Sequence, residues 1–112
     1  MSRDGLSTDF FVRLHARQAA SEGVPMTVLH KGYASSGAIA LKVNFLNGFS
    51  RVLIETRLGE ERLWTPASVD LMPEKDADAY LARQAEIDPD LWVIEIEDKQ
   101  GRLWFPGKVA EI

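Results

Sequence analysis

The side chains in this 112-residue sequence whose type and spacing could do chemistry are carboxylates on strand-like segments and tryptophans beside arginines. Glu95 and Glu97 lie two apart in the run Leu91-Trp92-Val93-Ile94-Glu95-Ile96-Glu97. In a strand they share one face with Cα atoms about 6.6 to 6.8 Å apart, a spacing compatible with the acid–base carboxylates of glycosidases. With Glu55 alongside and Arg83 or Arg102 supplying positive charge, the same set would suit a small anion or a hard cation such as Mg or Ca. The competing reading is the stronger one. If Trp92, Ile94 and Ile96 face the core, Glu95 and Glu97 face solvent, where Lys42, Arg51, Glu55 and Arg57 form cross-strand pairs. No catalytic residue is therefore assigned, and a ligand-binding or metal-assisted hydrolytic domain built on Glu55, Glu95 and Glu97 stands as the alternative.

Trp64 and Trp104 carry the other signal. Each follows Arg-Leu and precedes a proline two residues on: Arg62-Leu63-Trp64-Thr65-Pro66 and Arg102-Leu103-Trp104-Phe105-Pro106. Trp with Arg is the composition of protein-interface hot spots, although an indole of this kind also closes the end of a small core with its N–H on a carbonyl. The first reading makes the protein a small, non-catalytic binding or adaptor domain. It would contact another protein, or a second copy of itself, through Trp64, Trp104, Arg62 and Arg102. With no cysteine, disulfides, thiolate nucleophiles and sulfur-ligated metals are excluded. His15 and His30 sit on different segments without a third, and no phosphate-binding glycine loop or nucleophile elbow is present. No cofactor is implied.

Positioning these residues falls to two helical and several strand-like segments. Ser7 to Gly23 opens on N-capping residues, places Asp9 in the first turn and stops at Gly23 before Pro25, with Phe10, Phe11 and Leu14 as its apolar stripe. Met26 to His30 is a short strand, and the loop Gly32 to Gly37 is expected to return it as a hairpin into Ala38 to Leu46. There, Ile39, Leu41, Val43 and Phe45 alternate with Ala40, Lys42 and Asn44, the pattern of a strand buried on one side. Asn47-Gly48 signals a type I′ turn into Arg51 to Arg57. Leu58 to Glu61 turns that strand into Arg62 to Pro66, where proline ends the pairing. Pro73 precedes a helix over Glu74 to about Asp88, with Ala77, Tyr80, Leu81, Gln84 and Ile87 along one face.

A shift of 40 residues superposes Val52–Pro66 on Trp92–Pro106, with Ile54, Glu55, Arg62, Leu63, Trp64 and Pro66 repeated as Ile94, Glu95, Arg102, Leu103, Trp104 and Pro106. The echo predicts two hairpins of one kind. The run Arg83-Gln84, Asp88-Pro89-Asp90-Leu91-Trp92-Val93-Ile94-Glu95-Ile96-Glu97-Asp98 and Gly101-Arg102 resembles the bacterial domain-of-unknown-function family 1491. Gly23-Val24-Pro25, Lys31-Gly32 and Gly37-Ala38 extend the resemblance over most of the chain. It implies a small intracellular protein of this fold and names no substrate. Tyr33 stands where relatives often carry Asp, which removes an acidic role from that loop.

Hydrophobic residues make up 46% of the chain and charged residues 27%, as in ordinary globular proteins. Residues 1–56 hold 6 basic and 4 acidic side chains and residues 57–112 hold 7 and 13, for a net charge of -4. That balance opposes nucleic-acid binding even if Arg13, Arg17, Lys31 and Lys42 cluster. No segment is apolar over the roughly 18 to 20 residues that span a bilayer, so a cytoplasmic location is expected. The length suits a single α+β domain over residues 1–112, in the order helix, strands, helix, hairpin. Its sheet would be mainly antiparallel, five or six short strands built from hairpins, with both helices packed on one face.

Overall fold

The computed structural model describes residues 6–110. Helix α1 (Thr8–Ser21) starts where Ser7 Oγ accepts the Phe10 N–H at 3.2 Å. It ends in a Schellman motif: Gly23, at φ 79°, donates to the Ala20 carbonyl and Val24 to that of Ala19. Strands β1 (Met26–His30), β2 (Ile39–Asn44), β3 (Phe49–Leu58), β4 (Glu61–Pro66) and β5 (Met72–Pro73) follow. Helix α2 (Glu74–Ile87) then leads into β6 (Trp92–Glu97) and β7 (Lys108–Val109). The fold is α+β, with two helices and a mixed, mostly antiparallel sheet ordered β1-β6-β2-β3-β4-β7, while β5 pairs with β3. The β2–β6 and β4–β7 pairings are parallel. No helix among the described residues is long and apolar enough to cross a membrane.

The helices lie on opposite faces of the sheet, not on one. Ile39, Leu41, Val43, Leu53, Trp64, Trp92, Ile94 and Ile96 pack with Phe11, Val12 and Ala19 of α1. Ala40, Val52 and Val93 point the other way and pack with Ala77 and Leu81 of α2. Every residue of β2 is therefore buried, including Lys42 and Asn44. Its alternation reports two different environments rather than core and solvent. The helix faces are also narrower than their periodicity suggests: Phe10, Leu14 and Ile87 are exposed.

The expected β1–β2 hairpin does not form, because β6 inserts between those strands, antiparallel to β1 and parallel to β2. Loop 31–38 wraps the incoming chain. Tyr33 N–H donates to the Asp90 carbonyl, Trp92 N–H to that of Ala38, and the Trp92 indole to that of Tyr33. Gly32 and Gly37 permit this approach, since a Cβ on either would collide with the Asp90 carbonyl. With both edges of β6 occupied, Arg102–Pro106 has no strand to return along and the second hairpin is lost. The segment crosses instead to β4, where β7 pairs beside Leu63 and Trp64.

The β2–β3 turn is present, but its positive φ values fall at Leu46 (62°) and Gly48 (93°), so it is not the two-residue Asn47-Gly48 type I′ turn. Asn44 Oδ1 accepts the Leu46 N–H and Asn47 Oδ1 that of Phe49, which stabilises the longer loop.

Candidate functional site

Lys42 sits at the middle of β2 on the α2 side, with 3% of its side chain exposed. Three carboxylates surround its ammonium: Asp78 Oδ1 at 2.7 Å, Glu74 Oε1 at 3.0 Å and Glu95 Oε2 at 3.0 Å. Each is there for a local reason. Glu74 and Asp78, four apart on α2, share a helix face, and Glu95 is the register partner of Lys42 across the parallel β2–β6 pair. Asn44, two residues along the same face of β2, donates to Glu74 Oε1 at 3.2 Å and Glu95 Oε2 at 3.0 Å. Burial works to discharge Lys42, but the hydrogen bonds to Asp78, Glu74 and Glu95 outweigh it and hold its pKa above the ordinary lysine value. It stays protonated near neutral pH and is no amine nucleophile.

The cluster lines a cleft of about 590 Å³ bounded by residues of α2, β2, β6 and the end of β1. Leu29, Leu81 and Val93 are among its apolar lining, and His30 and Glu86 line it too. His30 Nδ1 lies 2.7 Å from the Leu91 carbonyl, which can only accept, so Nδ1 carries the proton. Glu74, Asp78, Glu86 and Glu95 set four carboxylates against the single ammonium of Lys42. The cleft has a surplus of negative charge.

The carboxylates singled out from the sequence do not assemble. Glu55 lies on the α1 face, buried, with Oε2 held by Arg62 Nε at 3.2 Å and Oε1 accepting the Ile39 N–H. Glu95 reaches the cleft and pairs with Lys42 beneath α2 rather than in solvent, while Glu97 is half-buried and outside the lining. No group of three His, Cys, Asp or Glu among the described residues is placed to hold a metal ion.

The arginine–tryptophan pairs also separate. Trp64 is fully buried, its indole donating to the Pro106 carbonyl at 3.0 Å, and Arg62 lies under α1 with its guanidinium 4.7 Å from the Phe11 ring centroid. Burial takes these two away from any partner surface. Trp104 and Arg102 remain half-accessible, stacked at 4.7 Å, and both donate to Asp98 Oδ2, at 2.9 and 2.8 Å. Asp98 is buried, which would raise its pKa, but Arg102, the Gln100 N–H and Trp104 together hold it below the usual aspartate value. Trp104 is held at φ 67°. That conformation is uncommon for a bulky residue, and these anchors accompany it.

From the sequence, Lys42 reads as an ordinary strand cation, and neither Glu74 nor Asp78 stands out from the other charges of its helix. The available signal was a lysine flanked by Ala40, Leu41 and Val43, together with a carboxylate pair four apart on a helix.

Solved structures share this arrangement of elements. A crystal structure of a DUF1491 family protein from Caulobacter crescentus CB15 is 42% identical, with a TM-score of 0.83 over 94% of this chain and 99% of that one. An NMR structure of a DUF1491 family protein from the same organism is 41% identical, with a TM-score of 0.81 over 95% and 97%. A solution structure of a protein from A. tumefaciens, at 24% identity and a TM-score of 0.68 over 81% and 84%, shares the fold. No curated protein matches. The family model described as "Protein of unknown function (DUF1491)" matches residues 6–106, and the chain belongs to that family.

Proposed function

We propose that this protein is a non-catalytic binding domain whose cleft beneath α2 takes a cationic group, an ammonium or guanidinium, carried on an apolar stem. One observation carries the reading: a cleft with four carboxylates, one ammonium and apolar wall. A carboxylate accepts several hydrogen bonds at once, so an incoming cation can share oxygens that already hold Lys42. Leu29 and Ala82, both exposed, and Ala85, half-buried, provide the surface for the stem, while Leu81 and Val93 are buried. The protonated state of Lys42 favours binding over covalent chemistry.

The test is a chemical-shift titration of isotope-labelled protein with n-butylammonium, n-butylguanidinium and butyrate. Both cations should perturb the amides of Leu29, Leu81, Val93 and Glu95, and butyrate should not. Glu86 is exposed, so Glu86→Gln leaves the fold intact while removing one of the cleft charges, and it should weaken both cations. Equal response to butyrate and butylammonium, or none to either cation, would sink the proposal.

A further inference from the structure

We infer that the ligand presented to this cleft is an extended segment of another protein, alternating apolar and basic residues, that adds as a strand to the free edge of β1. The inference rests on the cationic-cleft reading and names the partner that would exploit it.

β1 ends the sheet, with β6 on one side and no strand among the described residues on the other. The Glu97 N–H donates to the Pro25 carbonyl. Alternation of the antiparallel ladder then makes Thr27–Glu95 a hydrogen-bonded pair and turns the N–H and C=O of Met26 and Val28 toward the open side. Two backbone donors and two acceptors face outward on a strand that also leaves two apolar side chains uncovered: Val28 is 44% exposed and Leu29 48%. Edge strands of soluble proteins are usually blunted by charge, proline or cover. This one has a bulge between Val28 and His30 but no charged side chain from Met26 to Leu29.

The cleft opens onto that edge, because Leu29 and His30 belong to both. Val28 is the register partner of Ile94 and faces α1, whereas Thr27 is the partner of Glu95 and faces α2. A strand laid along β1 would place alternate side chains the same way. Those on the α1 side would cover Val28. Those on the α2 side would start roughly 9 to 10 Å from β6, two strand spacings away. A lysine or arginine stem crossing Leu29 would carry its cation across that gap toward Glu86 and Glu95, which line the same cleft, with its methylenes against Leu29. An acidic segment would meet the same carboxylates and be repelled. Charge complementarity therefore selects a basic occupant, and main-chain pairing supplies the rest of the contact.

Four probes test this: a capped peptide alternating valine and lysine, the same peptide N-methylated on the amides that would face β1, its glutamate-for-lysine counterpart, and n-butylammonium. The first peptide should slow amide exchange at Met26 and Val28 and bind at least about tenfold more tightly than butylammonium, as gain of backbone hydrogen bonds allows. N-methylation should remove that gain, and the glutamate peptide should not bind. If butylammonium binds in the cleft but N-methylation changes nothing, strand addition is wrong and the cation site stands. If butylammonium fails as well, the cleft reading falls and takes this inference with it. Protection of Met26 and Val28 in protein alone, accompanied by a dimer in sedimentation, would make a second copy the occupant and overturn the basic-segment proposal.

Discussion

Replacing Lys42 by methionine keeps most of the stem volume and removes the charge that three carboxylates surround. Breaking a buried ion pair by deleting one partner costs about 3 to 5 kcal/mol, because the other charge is left stranded. Here the three partners differ. Glu74 and Asp78 have 46% and 53% of their side chains exposed and turn to water when Lys42 is gone, so their share is small. Glu95 is 17% exposed and keeps one donor, Asn44 Nδ2 at 3.0 Å. The expected loss is thus at the low end, about 3 kcal/mol, or roughly 12 to 24 °C in Tm for a domain near this size. Urea unfolding followed by the fluorescence of buried Trp64 and Trp92 measures it. Adding Glu95→Gln to Lys42→Met should restore part of the loss, with a coupling of at least about 1 kcal/mol in the double-mutant cycle. The pH dependence has a defined sign. The folded-state pKa of Lys42 is raised, so its contribution is complete below the ordinary lysine value and disappears as pH rises through the higher folded one. Lys42→Met should lose that alkaline component. A variant within about 0.5 kcal/mol of wild type, the range of ordinary surface substitutions, would refute the reasoning, as would full additivity with Glu95→Gln.

The remaining predictions concern the parts that hold the cleft and the Trp104 segment in place. Asp98 has a lowered folded-state pKa, so its contribution is present above the usual aspartate value and is lost on acidification through the lower one. Asp98→Asn should be less stable at neutral pH and lose part of the wild-type decline below about pH 4; an unchanged acid slope in urea midpoints would count against the Arg102–Asp98–Trp104 cluster. Trp64→Ala should cost about 3 to 5 kcal/mol as a core truncation, whereas Trp104→Ala should stay folded with a smaller loss in the same assay. Equal losses would mean that the echo outweighs the environments. Gly37→Ala should cost at least about 1 to 3 kcal/mol by pushing loop 31–38 off the Asp90 carbonyl, checked by unfolding and by the exchange rate of the Tyr33 amide.

Local chemistry made the helices and most strand limits legible. The Ser7 cap and Gly23 terminus bound α1, Pro73 and Asp88 bound α2, and Gly59 and Pro66 delimit β4, each through bonds or φ restrictions within a few residues. The 40-residue echo was real as sequence, yet identical Arg-Leu-Trp-x-Pro runs took different structures because β3 has a free edge for its return strand and β6 has none. Period-two alternation in β2 marked a strand correctly but could not say what covers its second face. Lys42, Glu74, Asp78 and Glu95 are separated by up to 53 positions, and none carries a spacing that announces the others. What the sequence by itself determined was both helices, the strands from Met26 to Pro66 and over Trp92–Glu97, the absence of cysteine chemistry and the family; the short strands β5 and β7 and the non-strand course of Arg102–Pro106 were not among them. Only the tertiary structure decided that β6 enters between β1 and β2, that α2 closes over the face carrying Lys42, and that a cleft remains beside the edge. Those outcomes depend on pairing and burial between distant segments, which short-range periodicity does not encode.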